Sequence, residues 1–259
     1  MKISPKIEIV DLSLYFNATL VIADVHIGYE EALNKQGILV PRLQLEEMLK
    51  RMDKIFRHLK NKKIERIIVN GDLKHEFGTI SEQEWRNTLK FLDLLAKHCD
   101  EIILIKGNHD NILGPIAKKR NVKILENYLI EPVKKEYINE KTLTIKRTKN
   151  KTLVLHGDKI PDKESLKDVS TIIIGHEHPA VSIKEGPRVE QFKCFLKGKY
   201  KGRDLIVQPS FNPMAEGTDL LRDKILSPFL KQNLDSFDVF IVEDKVYEFG
   251  KLRNLRRYD

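Results

Sequence analysis

Two kinds of hydrophobic pattern divide the chain. In the first half, short apolar runs predict buried strands at Ala18–Asp24, Ile64–Asn70 and Glu101–Gly107. Between them, apolar residues recur at helical spacing over Pro41–Leu59, and Ser81 with Glu84 forms a capping-box pattern that opens a helix ending near Lys97. This strand–helix–strand order predicts parallel strands joined by right-handed crossovers.

The second half has apolar runs with little helical pattern between them. These predict strands at Lys141–Arg147, Lys151–Gly157, Ser170–His176, 188–198 and 203–210. Asp238–Gly250 reads as a hairpin that turns at Glu243 and Asp244, and the polar region Lys134–Lys151 is a candidate hairpin tip. The prediction is an α/β fold in which two mixed sheets pack face to face with helices outside, a four-layer α-β-β-α sandwich. We expect a single domain over 1–259.

Composition narrows the class of protein. The chain has 259 residues, of which 41% are hydrophobic, and no apolar stretch is long enough for a membrane span. The N-terminus lacks the pattern of a signal peptide. The two cysteines, Cys99 and Cys194, provide neither a disulfide framework nor a thiolate metal site. We therefore expect a cytoplasmic protein with no membrane association.

The net charge of +8 leaves two interpretations open. It fits a generic charged surface, and it also fits a surface that binds a polyanion such as nucleic acid. The segment Lys193–Arg203 is basic with interspersed aromatic residues. It is a candidate for tracking a polynucleotide backbone, or else an ordinary solvated hairpin.

Metal-ligand residue types gather where the predicted strands end. Six of the eight histidines lie there, whereas His58 and His98 lie near predicted helix ends and are expected either to be exposed or to cap those ends. Because the carboxyl ends of strands in an α/β sheet face a common crevice, these side chains can converge. The candidate metal ligands are Asp24, His26, Asp72, Asn108, His156, His176 and His178.

The ligand chemistry indicates which metals fit. Carboxylate, imidazole and amide groups without thiolate suit manganese, iron or zinc. Seven candidate ligands exceed what one ion takes, so two ions about 3.5–4 Å apart are predicted. Manganese is the expected metal, with iron, zinc and nickel left open.

The order of the motifs resembles a known superfamily. From Asp24 to His178 the chain contains five motifs in the order seen in the calcineurin-like metallophosphoesterases: D-x-H, G-D, G-N-H-D, H and G-H-x-H. The resemblance implies two metal ions bridged by Asp72 and a hydroxide nucleophile held by them. It also implies that His109 assists the leaving oxygen or steadies the phosphoryl charge, and that Asp110 orients His109.

The second motif departs from the common form of that superfamily. It reads "GDLKHEF" instead of G-D-x-x-D-R, so the arginine that helps bind a phosphomonoester is missing. His75 at this position resembles the SbcD-type nuclease arm, above all archaeal SbcD-related phosphoesterases, which are similar to bacterial relatives associated with DNA ligase. A functional link to DNA repair or ligation is implied by resemblance only. His75 either donates a hydrogen bond to a substrate phosphate or orients Asp72.

The function predicted from these residues is metal-dependent hydrolysis of phosphodiester bonds in nucleotides or nucleic acid. A phosphomonoesterase is the alternative, and a non-catalytic binding scaffold is a remote one. Asn108, Phe211 and Asn212 are candidate substrate-binding residues. Glu30 and Glu177 either line the pocket or are exposed loop carboxylates. With no heptad stretch for a coiled-coil partner, small nucleotides or short single-stranded ends are favoured over long duplex DNA.

Overall fold

Two β-sheets face each other in the computed structural model, which describes residues 1–78, 80–110, 112–131 and 150–255. The first sheet contains seven strands in chain order: β1 (Lys2–Ser4), β2 (Ile7–Val10), β3 (Ser13–Phe16), β4 (Thr19–Ala23), β5 (Arg66–Asn70), β6 (Glu101–Ile105) and β7 (Lys123–Leu125). Strands β1 to β4 pair antiparallel, and β4 to β7 pair in parallel. The first sheet is therefore mixed.

The second sheet contains nine strands. They are β8 (Asn127–Ile130), β9 (Lys151–Leu155), β10 (Val169–Ile174), β11 (Pro179–Glu185), β12 (Arg188–Tyr200), β13 (Arg203–Val207), β14 (Thr218–Asp219), β15 (Asp238–Val242) and β16 (Val246–Lys251). Their main order is β14-β11-β12-β13-β10-β9-β8, and β15 pairs with both β12 and β16. Parallel pairs join β10 to β9 and to β13, while β11 and β12 are antiparallel.

The described part of the chain has five α-helices and one 3₁₀ helix outside the sheets. They are α1 (Tyr29–Lys35), α2 (Gln44–His58), α3 (Glu82–Ala96), α4 (Gly114–Arg120), the 3₁₀ helix Pro228–Leu230 and α5 (Leu252–Leu255). Helix α3 begins where the sequence predicts, because Oγ of Ser81 accepts a hydrogen bond from the backbone N–H of Glu84. None of the described helices combines the length and apolarity needed to cross a membrane.

The second sheet is buried on both faces, as the alternation along β10 shows. Ile173 belongs to the core between the two sheets, whereas Ile172 and Ile174 belong to a separate apolar cluster on the opposite face. Neighbouring side chains of a strand point to opposite faces, so one strand serves both cores. Phe229 and Leu252, from the 3₁₀ helix and α5, join that outer cluster. Two mixed sheets flanked by helices confirm the predicted fold class.

The sequence missed several elements, and some predicted strands are longer than the observed ones: 203–210 is β13, which ends at Val207, and Glu101–Gly107 is β6, which ends at Ile105. The antiparallel strands β1 to β3 and the short helices α1 and α4 carry too few residues for a recognisable period. The predicted strand Lys141–Arg147 lies outside the described residues, as does the proposed hairpin tip Lys134–Lys151 except for its last two residues. The predicted C-terminal hairpin is present as β15 and β16.

Candidate metal centre

The predicted ligands meet at one edge of the sandwich. Strands β4, β5 and β6 run in parallel, so their carboxyl ends lie side by side, and β9 and β10 bring the second sheet to the same place. Ligand atoms lie within 4.8 Å of one another in three groups. The first group is Asp24, His26 and His178, the second is Asp72, His156 and His176, and the third is His26, His75 and His109, in which only His26 is a predicted ligand.

Asp72, a member of the second group, also reaches the first. Its Oδ2 is 3.6 Å from Nε2 of His26 and 3.4 Å from Nε2 of His156. Oδ1 of Asn108 is 2.9 Å from the same Nε2 of His156, and Nδ1 of His176 is 3.1 Å from it. Asp72 thus lies close to a ligand atom of each of the first two groups, and Asn108 falls on the side of His156.

The backbone at these residues is strained. Asp24 and Asp72 have φ values of 54° and 45°, and His26, His176 and His178 also have positive φ. A residue other than glycine in this left-handed region costs about 1–3 kcal/mol. Five such residues in one cluster indicate that the surrounding strands hold the side chains in place at the expense of local backbone energy.

Glycines make the close approach of the strands feasible. Gly71, with φ of 80°, precedes Asp72, and a side chain there would collide with the imidazole of His156. A side chain at Gly107 would collide with the carboxylate of Asp72. These glycines therefore serve the packing of the cluster as well as the turns themselves.

The electrostatics of the cluster fit a cation site. Burial and the charge of Asp24 raise the pKa of Asp72 to about 9. Burial and the neighbouring imidazoles hold the pKa of His26 well below its usual range. Oδ1 of Asp24 is buried with no hydrogen-bond partner. Divalent cations between these groups would stabilise both ionised carboxylates and fill the vacant acceptor, so the donor set fits the predicted metals.

His109 faces the same cluster, but Asp110 does not orient it. Nδ1 of His109 lies 2.5 Å from the carbonyl oxygen of His75. The carboxylate of Asp110 instead accepts hydrogen bonds from the backbone N–H groups of Leu73, Lys74 and Gly107. The prediction that Asp110 orients His109 is therefore wrong. Asp110 joins the loops after β5 and β6, and the carbonyl group of His75 orients His109.

His75 points to the cavity and is free of Asp72. Its ring makes edge contacts with His26 and Tyr29, at centroid distances of 5.5 and 4.7 Å. The structure gives it no hydrogen bond to Asp72, so the alternative in which it only orients that carboxylate finds no contact to support it. Burial and the neighbouring His109 and Lys74 lower the pKa of His75 to about 4, so its imidazole is neutral near pH 7.

A cavity of about 580 Å³ opens over the cluster. Its lining residues are His26, Tyr29, Leu33, Asp72, His75, Asn108, His109, His176, Glu177, His178, Asn212, Met214, Ala215, Glu216, Gly217, Thr218 and Leu226. Asn212 is among them, but Phe211 is not. Phe211 is fully buried in the core between the sheets and lies beside Phe91. The prediction that Phe211 binds substrate is wrong.

Of the two acidic residues expected to line the pocket or to be exposed loop carboxylates, only Glu177 lines the cavity. Glu30 is 2% exposed and accepts hydrogen bonds from the backbone of Gln44 and the side chain of Gln83. Glu177 lines the cavity, but it is fully buried and its carboxylate accepts hydrogen bonds from the backbone of Leu226 and Ser227. Neither is an exposed loop carboxylate; both hold loops around the site.

Other positioning residues were missed. Oε1 of Glu84 accepts hydrogen bonds from the backbone N–H groups of His75 and Glu76, so the capping-box acid supports the site loop rather than its own helix start. Nζ of Lys193 donates to the carbonyl oxygens of Ser210 and Asn212. The Ser81–Glu84 spacing was a signal for Glu84. The basic segment Lys193–Arg203 drew attention to Lys193 only as a nucleic-acid contact or part of a solvated hairpin, whereas its ammonium group supports a loop. His58 and His98 are exposed, as predicted.

Comparisons with known proteins concern the family and the fold. The family model described as calcineurin-like phosphoesterase matches residues 18–241. The fold is similar to a nuclease, MPE, from Pseudomonas putida (TM-score 0.58, 17% identity, 92% of each chain covered). A weaker similarity links it to vacuolar protein sorting 29 from Cryptosporidium parvum (TM-score 0.37, 15% identity, 90% of this chain and 97% of the other). No curated protein matches the sequence.

Proposed function

Because the chain belongs to the calcineurin-like phosphoesterase family, we propose that it hydrolyses phosphodiester bonds of nucleotides or nucleic acid with two divalent cations, manganese above all. Family membership makes the protein a metal-dependent hydrolase of phosphate esters. The choice of diester, the pair of ions and the nucleotide substrate are our proposal. The solved nuclease with the same fold supports it at the level of architecture.

The charge of the residues that line the cavity is the observation that favours a diester over a monoester. Among the described residues that line it, none is lysine or arginine, and Glu177 and Glu216 add negative charge. A phosphomonoester carries about −1.5 to −2 charges near pH 7 and is commonly held by guanidinium groups. A diester carries a single negative charge, which this cavity accommodates better once the cations are bound.

The candidate ligands would hold the ions in two groups that share Asp72. Asp24, His26 and His178 would hold one ion, and Asn108, His156 and His176 the other. The chemistry that two bound divalent cations supply is acidification of a water and neutralisation of charge on the phosphoryl oxygens.

The histidines of the loops have separate tasks. The hydrogen bond from Nδ1 of His109 to the carbonyl oxygen of His75 keeps a proton on Nδ1. Nε2 is therefore the nitrogen that exchanges a proton, and it is the atom that would protonate the leaving oxygen. His75, neutral and lining the cavity, would donate a hydrogen bond to a phosphate oxygen.

Hydrolysis of two chromogenic esters tests this proposal. The manganese-loaded protein should show a higher kcat/KM with bis-p-nitrophenyl phosphate than with p-nitrophenyl phosphate. A faster reaction with the monoester would contradict the proposal and favour a phosphomonoesterase. Fewer than one bound ion per chain after manganese loading, with neither ester hydrolysed, would indicate a scaffold. A panel of substrates would then identify the natural class of diester; it contains cyclic nucleotides, dinucleotides, RNA, and single-stranded and duplex DNA.

A further inference from the structure

An exposed aromatic ring lies beside the metal centre, in the loop between β5 and α3. Phe77 is 54% exposed, a large fraction for a phenylalanine. Its ring stacks on the imidazole of His109, with 3.7 Å between ring centroids and 29° between planes. His109 in turn lies 4.9 Å from the ring of His26, so Phe77 is two ring contacts from a candidate metal ligand.

The loop that carries Phe77 is tied to the protein on its N-terminal side. The backbone N–H groups of His75 and Glu76 donate to Glu84, which is fully buried. Nζ of Lys74 donates to the carbonyl oxygens of Glu76 and His109. These contacts hold the residue before Phe77 in place. The fold therefore fixes the backbone that leads into Phe77 beside the metal centre.

The cavity next to Phe77 has an apolar and aromatic side but no cationic residue among its described lining. Tyr29, Leu33, Met214 and Leu226 contribute that side. Proteins that hold long nucleic acids rely on lysine and arginine contacts to many phosphates. A site without them, but with an exposed aromatic face, suits a ligand whose affinity comes from a base rather than from a long backbone.

We propose that Phe77 is a base-stacking residue that selects phosphodiesters of nucleosides with an unpaired base. The base stacks on the exposed face of Phe77 while its phosphate lies at the cluster of Asp72 and the histidines. Any base offers a π-face, so the selection is for an unpaired base and not for a sequence. The substrate class is then small nucleotides and single-stranded ends. The inference rests on the proposed function, whose site it uses.

Phe77 would have a different effect if it only held the ring of His109 in place. Removing it would then lower turnover of every ester, because His109 contacts the leaving oxygen of each. Removing a base-stacking ring lowers the reaction of nucleoside esters alone. Two substrates with the same leaving group separate these cases.

The substrates are thymidine 5′-(p-nitrophenyl phosphate) and methyl p-nitrophenyl phosphate, tested with the full manganese-loaded chain. In Phe77→Ala, the ratio of kcat/KM for the thymidine ester to that for the methyl ester should fall about 5- to 100-fold, mainly through KM. Phe77→Trp should retain the ratio. Phe249→Ala, which removes another exposed phenylalanine (40% exposed, in β16), serves as the matched control. An equal loss for both esters, or no loss, would overturn the inference.

A binding measurement is independent of turnover. Calorimetry should show that Phe77→Ala weakens the binding of thymidine 5′-monophosphate and leaves the binding of inorganic phosphate nearly unchanged. If the wild-type protein hydrolyses no diester, but Phe77→Ala still weakens binding of the nucleotide selectively, the proposed function fails and the base-stacking role stands. If it hydrolyses diesters and Phe77→Ala weakens both ligands equally or neither, the role fails and the function stands.

Discussion

Nε2 of His156 lies 3.4 Å from Oδ2 of Asp72, although the two residues follow strands of different sheets. The candidate metal centre is therefore built across the joint of the sandwich. Ions held there would link the sheets as well as serve catalysis. Because a ligand that binds only the folded state stabilises it, manganese should raise the resistance of the protein to unfolding.

The position of Asp72 predicts that Asp72→Asn weakens the binding of both ions. An amide carries no charge and is a poorer bridge than a carboxylate, so affinity should fall at both groups of ligands. Manganese per chain, measured by elemental analysis after equilibrium dialysis, should fall well below the wild-type value. Asp93→Asn is the control, because Asp93 lies on α3 and pairs with Arg120 on the surface. Loss of one ion with full retention of the other would show that Asp72 does not bridge.

The second prediction concerns His109. His109→Ala removes the nitrogen that faces the cavity but no predicted metal ligand. Metal content should remain, and turnover of bis-p-nitrophenyl phosphate should fall roughly 10²–10⁴-fold. His98→Ala, at an exposed histidine stacked on Phe56, should leave turnover unchanged. Unchanged turnover in His109→Ala would remove its proposed role.

The third prediction tests the support of the site loop. Glu84→Ala leaves the buried N–H groups of His75 and Glu76 without their acceptor. We expect the free energy of unfolding to decrease by about 1–3 kcal/mol in urea titrations. Glu82→Ala, one residue into the same helix and exposed, is the matched control. Equal effects of the two substitutions would mean that the contacts of Glu84 contribute nothing beyond helix propensity.

The fourth prediction concerns pH. Burial and the charge of Arg51 lower the pKa of Lys193 to about 7, from an ordinary value near 10.4. Below pH 7 both folded and unfolded states hold the proton, and the cost of the buried charge is complete. From pH 7 upwards the unfolded state binds more protons, so stability due to Lys193 rises with pH.

Urea unfolding of the metal-free wild type and of Lys193→Met at pH 6 and pH 9 measures the pH-dependent contribution of Lys193 to stability. The free energy of unfolding of the wild type should gain roughly 2 kcal/mol relative to the variant over that interval. Lys199→Met, at an exposed lysine of the same strand, is the control. A wild-type-to-variant difference that is constant with pH would show that Lys193 keeps its ordinary pKa.

The sequence identified the candidate ligands because their positions follow from chain order alone. A polar residue directly after a buried parallel strand lies at the carboxyl edge of the sheet, whatever packs around it. Asp24, Asp72 and His156 each occupy such a position, and the structure brings them together. The fold class followed from the same alternation of strands and helices.

Side-chain direction within loops could not be predicted in this way. Phe211 and Asn212 are neighbours in an irregular loop, yet one packs in the core and the other lines the cavity. Asp110 follows His109, but its carboxylate folds back to the N–H of Gly107. Glu30 and Lys193 became positioning groups only through partners distant in sequence.

We propose that two ions bound at one cluster make this chain a phosphodiesterase. Titration of the metal-free protein with manganese, following bound metal and hydrolysis of bis-p-nitrophenyl phosphate together, is the sharpest measurement of this dependence. We predict that activity rises until two ions are bound per chain and then levels off. Activity that saturates at one ion per chain, or two bound ions without hydrolysis, would show that the pair of ions does not make the enzyme.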